Sequence, residues 1–160
     1  MKSTKVTLSH LSKCLTIVFI SISPLFASAQ DEVTLSSTKN VTIPDTDKFV
    51  PFGLMIHVGD SVRWTNKDTD DHTVVSDDAF TTPSLRGVNV LIPGTDSNQG
   101  KPGTFKHKFM HAGTFIYYCR FHSKLDADNQ PTAPGPKGGI QDSNGNFGTP
   151  MMGVITVMPR

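Results

Sequence analysis

Four side chains in this sequence could hold a metal between them: His72, Cys119, His122 and Met151. Cys119 and His122 stand three apart in Tyr118-Cys119-Arg120-Phe121-His122, a spacing that lets both face one ion. His72 comes from a distant segment, and Met151 from near the end of the chain. A thiolate, two imidazoles and a thioether are the donors of a type 1 copper site. The sulfur and two nitrogens lie roughly in a plane, with the thioether weak and axial. The thiolate binds both copper oxidation states strongly, imidazole accepts either, and the soft thioether favours Cu(I). Such a set needs little rearrangement when one electron moves.

The compartment sharpens the role of Cys119. Residues 1–29 read as a secretory signal, with Lys2, Lys5 and Lys13 followed by an apolar stretch from Cys14 to Phe26. Ala27-Ser28-Ala29 supplies the small residues of a cleavage site, so Gln30 is the expected first mature residue. The apolar stretch is short of the roughly 20 residues a membrane span requires. An uncleaved anchor is the alternative, and Cys14 lacks the small neighbours of a lipoprotein cysteine. Beyond the leader Cys119 stands alone and can form no internal disulfide. A buried small hydrophobe and an intermolecular disulfide are the plain alternatives. A Cys119–His122 hydrolase lacks an evident third group to orient the base.

About 131 residues remain after the leader, enough for one domain (residues 30–160) with its own core. The leader takes three of the 15 basic residues and none of the 14 acids, leaving a formal charge of −2. That near-balance gives no reason to expect nucleic-acid binding.

The elements that must position the donors read as strands. Short β-branched and aromatic runs alternate with Gly, Pro, Asn and Asp, and no useful helical periodicity is present. Strands are expected at 33–36, 40–43, 52–58, 61–66, 72–76, 88–92, 104–110, 113–119 and 153–158. Val62 and Trp64 share one face, as do Phe115, Tyr117 and Cys119. Residues 77–103 read as a long connection carrying one short strand. Residues 123–150 are rich in Gly, Pro, Asn and Asp and read as a long loop. An all-β sandwich or barrel is the expected class.

Other candidates read as bystanders. His57, His107 and His111 are expected to be strand and turn residues without metal, although His107, Met110 and His111 together could suggest a second copper. Met55, Met110 and Met158 are expected in the core or on the surface, and Trp64 and Phe109 in the core. Asp68, Asp70, Asp71, Asp77 and Asp78 lack the Gly and Glu of a calcium loop, so a solvated acidic turn is expected. His72, just after it, would by itself read as a surface histidine.

The chain resembles the cupredoxins, and within them the plastocyanin-like small blue copper proteins. The resemblance lies in Val58-Gly59-Asp60-Ser61-Val62-Arg63-Trp64-Thr65-Asn66 followed by His72-Thr73-Val74. It continues in Gly113-Thr114-Phe115-Ile116-Tyr117-Tyr118-Cys119-Arg120-Phe121-His122 and ends in Met151-Met152-Gly153-Val154-Ile155-Thr156-Val157. It implies a Greek-key β-sandwich of about eight strands, an exported location and one-electron transfer. It also implies that the electron leaves through the exposed edge of the second imidazole, His122. The chain departs from that pattern in the 28 residues between His122 and Met151, where such proteins have a handful. Met151, in a Met-x-Gly pattern, is the favoured axial ligand, with Met152 or no thioether at all as the alternatives. The long loop is expected to cover the region of His122.

The expected function is an electron carrier with one copper, not an enzyme, working as a periplasmic or secreted monomer with redox-protein partners. A periplasmic copper chaperone or resistance protein on the same fold is the alternative. An enzyme that binds small molecules at an open copper position is the third. A binuclear copper centre would need a second cysteine. A multicopper oxidase would carry His-x-His pairs and a His-Cys-His run, which are absent from the sequence.

Overall fold

The computed structural model describes residues 35–76, 88–135, 139–140 and 148–160. The expected leader, Asp77 and Asp78 lie outside these residues. Ten strands follow in order: β1 (Thr38–Ile43), β2 (Gly53–His57), β3 (Ser61–Asn66), β4 (His72–Ser76), β5 (Val88–Ile92), β6 (Gly103–Lys108), β7 (Gly113–Tyr118), β8 (Lys124–Leu125), β9 (Pro131–Thr132) and β10 (Met152–Met158). The expected strands at 61–66, 72–76 and 88–92 are present residue for residue. The run at 33–36 is not borne out where it is described, since Leu35 and Ser36 precede β1 without pairing.

Two sheets face each other, one of order β1-β3-β6 and one of order β2-β10-β7-β4-β5. The alternation that marked these runs as strands is also what fills the space between them. Val41 and Ile43 of β1 and Val62 and Trp64 of β3 point inward from the smaller sheet. Ile56, Val74, Phe115, Tyr117, Ile155 and Val157 meet them from the larger. Trp64 stacks on Phe105 at 5.4 Å and meets the edge of Tyr117 at 5.4 Å. Phe49 closes on Tyr117 at 4.7 Å. Each such pair adds about 0.5–1.5 kcal/mol beyond its buried area. Trp64 and Phe109 are core residues, as expected, while Met55, Met110 and Met158 are exposed.

The described parts of 123–150 carry paired structure where a plain loop is expected. β8 and β9 form a small hairpin, and Ile140 pairs with Thr149. Asp126 accepts the N–H groups of Asp128 and Gln130 at 2.9 Å each, which closes the turn. Aliphatic residues are too sparse there for strand periodicity to show; the short strands are held by turn chemistry.

Candidate metal centre

β4 supplies His72. This strand lies between β5 and β7, with His72 opposite Ile92 and Val75 opposite Tyr118. Its β-branched run Thr73-Val74-Val75 suits burial on both faces, and every residue in it is buried. His72 is therefore fully enclosed, contrary to the surface position its acidic neighbours suggest.

β7 supplies Cys119, one residue past its last paired position. The parity that buries Phe115 and Tyr117 also buries Cys119. The chain then turns, with the His122 N–H donating to the Cys119 carbonyl at 3.3 Å. Sγ of Cys119 sits 3.7 Å from Nδ1 of His72 and 3.8 Å from Nδ1 of His122. All three donor atoms lie within 4.8 Å of one another. A late first-row metal with bonds of about 2.3 Å to sulfur and 2.0 Å to nitrogen, splayed at 120°, separates its sulfur from each nitrogen by about 3.7 Å. The donors are thus placed as they would be around one ion.

The described residues after His122 bring the Met151 backbone back beside Cys119 and His122. Cys119 N–H donates to the Met151 carbonyl at 2.9 Å, and Met151 N–H donates to the His122 carbonyl at 3.2 Å. The Ser123 hydroxyl also donates to the Met151 carbonyl, at 3.0 Å. Three hydrogen bonds therefore tie the Met151 backbone to the cysteine and histidine segments. Met151, just before β10, shares its parity with Gly153, Ile155 and Val157, and all four are buried. Met152 has the other parity and lines a cavity of about 540 Å³ with Phe52, Ile140 and Pro150. Of the two methionines, Met151 is the one on the core side with Cys119. Gly153 makes room in the core for its neighbour on β7. A Cβ there would lie 2.4 Å from the Tyr117 hydroxyl, so its lack of a side chain admits the Tyr117 ring.

Both imidazoles turn Nδ1 to the sulfur and Nε2 to carboxylates. His72 Nε2 is 3.0 Å from Asp68 Oδ2. Asp47 Oδ1 lies 3.6 Å from His72 Nε2 and 3.5 Å from His122 Nε2. Asp68 corrects the expectation of a solvated acidic turn, because it is buried and bonded to a candidate ligand. The Asn66 side chain builds that turn. Its amide donates to the Asp70 and Ile92 carbonyls, and its oxygen accepts the Asp68 N–H. Gly94 packs close against the same turn, where a Cβ would meet the Thr69 carbonyl oxygen at 2.0 Å. Asp47, Asp68 and His72 also bring three ligand atoms together. There the 3.0 Å contact already uses the outer nitrogen of His72 as a hydrogen-bond partner.

The electrostatics favour a thiolate. Burial pushes the Cys119 thiol up, but His122, His72 and the N–H groups of Thr73 and Phe121 outweigh it and bring it down to about 5. The Thr73 N–H donates to Sγ at 3.3 Å. Burial pushes His72 down, but the Cys119 sulfur, Asp68 and Asp47 raise it above its ordinary value. His122 is raised chiefly by Cys119, against burial. Metal binding requires a deprotonated sulfur, and the protein prepares one at neutral pH.

His122 is the accessible member, its side chain 23% exposed. An open basin of about 450 Å³ lies over it, lined by Thr69, Asp70, Asp71, Asp96, Ser97 and Phe121. Among the described residues, none of these comes from 123–150. His57, His107 and His111 belong to neither ligand cluster among the described residues. His107 packs against the edge of Phe109 at 5.0 Å.

No protein-family model and no curated protein matches the chain. Solved structures do. The chain is similar to a purple cupredoxin from Nitrosopumilus maritimus, at 22% identity over 75% of this chain and 99% of that one, with a TM-score of 0.47. It is also similar to amicyanin from Paracoccus versutus, at 16% identity over 76% and 81%, with a TM-score of 0.45. The side chains themselves carry the assignment: one low-pKa thiolate, two Nδ1 atoms facing it and one buried methionine fit a single copper.

Proposed function

We propose that this chain is an exported one-electron carrier that holds one type 1 copper between His72, Cys119, His122 and Met151. The observation that carries the reading is the triangle of Sγ and two Nδ1 atoms, at 3.7 and 3.8 Å, with His72 and Cys119 fully buried and His122 partly exposed. When bound, the metal supplies one-electron exchange between Cu(I) and Cu(II). The chain's own residues do the rest. Cys119 offers a ready thiolate, steadied by the Thr73 N–H. Asp68 fixes which way the His72 ring faces. The hydrogen bonds between 119, 122 and 151 hold three of the four donors to one scaffold. The His122 edge opens on the basin beside Phe121, the route by which a redox partner would approach.

Complete burial of His72, Cys119 and Met151 supports a carrier over a protein that hands copper on. Hand-off by ligand exchange needs a thiolate that an acceptor can reach. The working partners are redox proteins, and residues 1–29 serve as the export signal. Cyclic voltammetry of the copper-loaded mature chain tests this reading. Reversible one-electron waves support it. Slow or absent waves together with quick transfer of copper to a chelating acceptor point to the chaperone instead.

A further inference from the structure

Asp47 has no place in the donor set, yet its carboxylate reaches both imidazoles. Its Oδ1 lies 3.5 Å from His122 Nε2 and 3.6 Å from His72 Nε2. The two rings stand 5.0 Å apart at 42°, so one oxygen spans their outer nitrogens. The two contacts are not equivalent. His72 already has Asp68 at 3.0 Å, a buried partner that fixes its orientation. For His122, the ion pair with Asp47 is the carboxylate contact of its outer nitrogen among the described residues. Asp47 is placed by the turn Asp45–Asp47, where its φ of 53° is left-handed. The turn is fastened just downstream. Phe49 is buried against Tyr117, and Thr42 and Val50 exchange backbone hydrogen bonds at 2.8 Å each.

Resting on the copper reading above, we infer that Asp47 is the positioning residue of the second imidazole: it holds the His122 ring by Nε2 and adds a fixed negative charge behind the copper. Two consequences follow from its geometry. The accessible ligand is steadied from its outer side. A carboxylate one imidazole-width from the metal favours the more positive Cu(II) state, so it lowers the reduction potential. The carboxylate is one-third exposed, so salt screens part of this effect.

The test uses the full mature protein with Asp47→Asn, beside Asp70→Asn as a charge control. Asparagine tolerates the left-handed turn and keeps the size of the side chain, so folding is preserved. Asp70 lines the basin near His122 but is in neither ion pair with the imidazoles. In the copper-loaded protein, Asp47→Asn is expected to shift the Cu(I)/Cu(II) equilibrium about tenfold toward Cu(I), or about 59 mV for one electron. Asp70→Asn should shift it far less, and raising the salt should shrink the difference. In the metal-free protein, nitrogen NMR of the imidazoles should show the His122 ring broadened or shifted by Asp47→Asn and the His72 ring little changed.

Equal potential shifts for the two variants would mean a general charge effect and overturn the inference. So would an unperturbed His122 ring in the metal-free variant. If the wild type takes up copper without an intense visible band, the copper reading fails by itself. The metal-free NMR then still decides whether Asp47 positions His122.

Discussion

Asp68→Ala is expected to weaken the copper site although Asp68 is not a ligand. Its Oδ2 is 3.0 Å from the outer nitrogen of a His72 that is completely enclosed. Its Oδ1 accepts the Thr69 N–H at 2.6 Å and so caps the turn that leads into β4. Truncation leaves the buried His72 nitrogen without its partner, a loss of about 1.5–3 kcal/mol for a hydrogen bond to a charged group. Loss of such an outer partner typically lowers metal affinity about 10–100-fold, which is about 1.4–2.7 kcal/mol. The two figures agree, so most of the effect should pass directly to copper binding. Asp68→Asn keeps one oxygen for the ring and should fall between the wild type and Ala. The pH dependence has a fixed sign. Burial pushes the Asp68 carboxyl up, but His72, Thr69 and Asp70 outweigh this and hold it below its ordinary 3.8. Its contribution is therefore full above pH 3.8 and lost as pH falls through the lowered native value. In the metal-free protein the gap between wild type and Asp68→Ala should narrow below about 4, and should also shrink as pH rises through the raised His72 value, because Asp68 is one of the groups that raise it. Competition against a chromophoric copper chelator measures the affinity, and urea unfolding of the metal-free protein measures the structural part. A copper affinity for Asp68→Ala within twofold of the wild type would refute the reasoning.

Three more outcomes are expected. In the metal-free protein the Cys119 thiolate should titrate near 5 by ultraviolet absorbance, where a midpoint near 9 would contradict the hydrogen-bond geometry. Because its folded value lies below the unfolded one, its contribution to stability is full above pH 9.0 and lost as pH falls through about 5. Met151→Leu should change the visible spectrum of the copper form while Met152→Leu leaves it nearly unaltered; the reverse order would move the axial position to Met152. Gly153→Ala should destabilise the fold by about 1–3 kcal/mol in urea unfolding, because its Cβ collides with the Tyr117 ring. An unchanged midpoint would mean that the ring moves aside freely.

Much of the site was legible in the sequence because its parts are local. Cys119 and His122 are separated by one turn, and the parity of Phe115, Tyr117 and Cys119 places the sulfur on the core side. The β3 and β4 runs are bounded by Gly59-Asp60 and by the acidic turn, so their ends were also readable. What depends on contacts through space was not. Asp47 and Asp68 look like their solvated neighbours Asp45 and Asp70 until the chain folds the first pair onto the imidazoles. For Asp68 a faint signal existed: Asn66 at the end of a buried strand is a residue that folds a following turn back on itself. For Asp47 no local pattern distinguishes it. The Met-x-Gly pattern favours Met151 over Met152, but the 28 intervening residues hide the hydrogen bonds that tie its backbone to Cys119 and His122.

The central claim is that Cys119, His72 and His122 share one copper. Its most direct test is the absorption spectrum of the metal-free mature protein titrated with one equivalent of Cu(II). An intense visible thiolate-to-copper band is expected, saturating at one copper per chain and absent in Cys119→Ser. A folded protein with its thiol reduced that takes up Cu(II) without that band, or gives the same spectrum as Cys119→Ser, would contradict it.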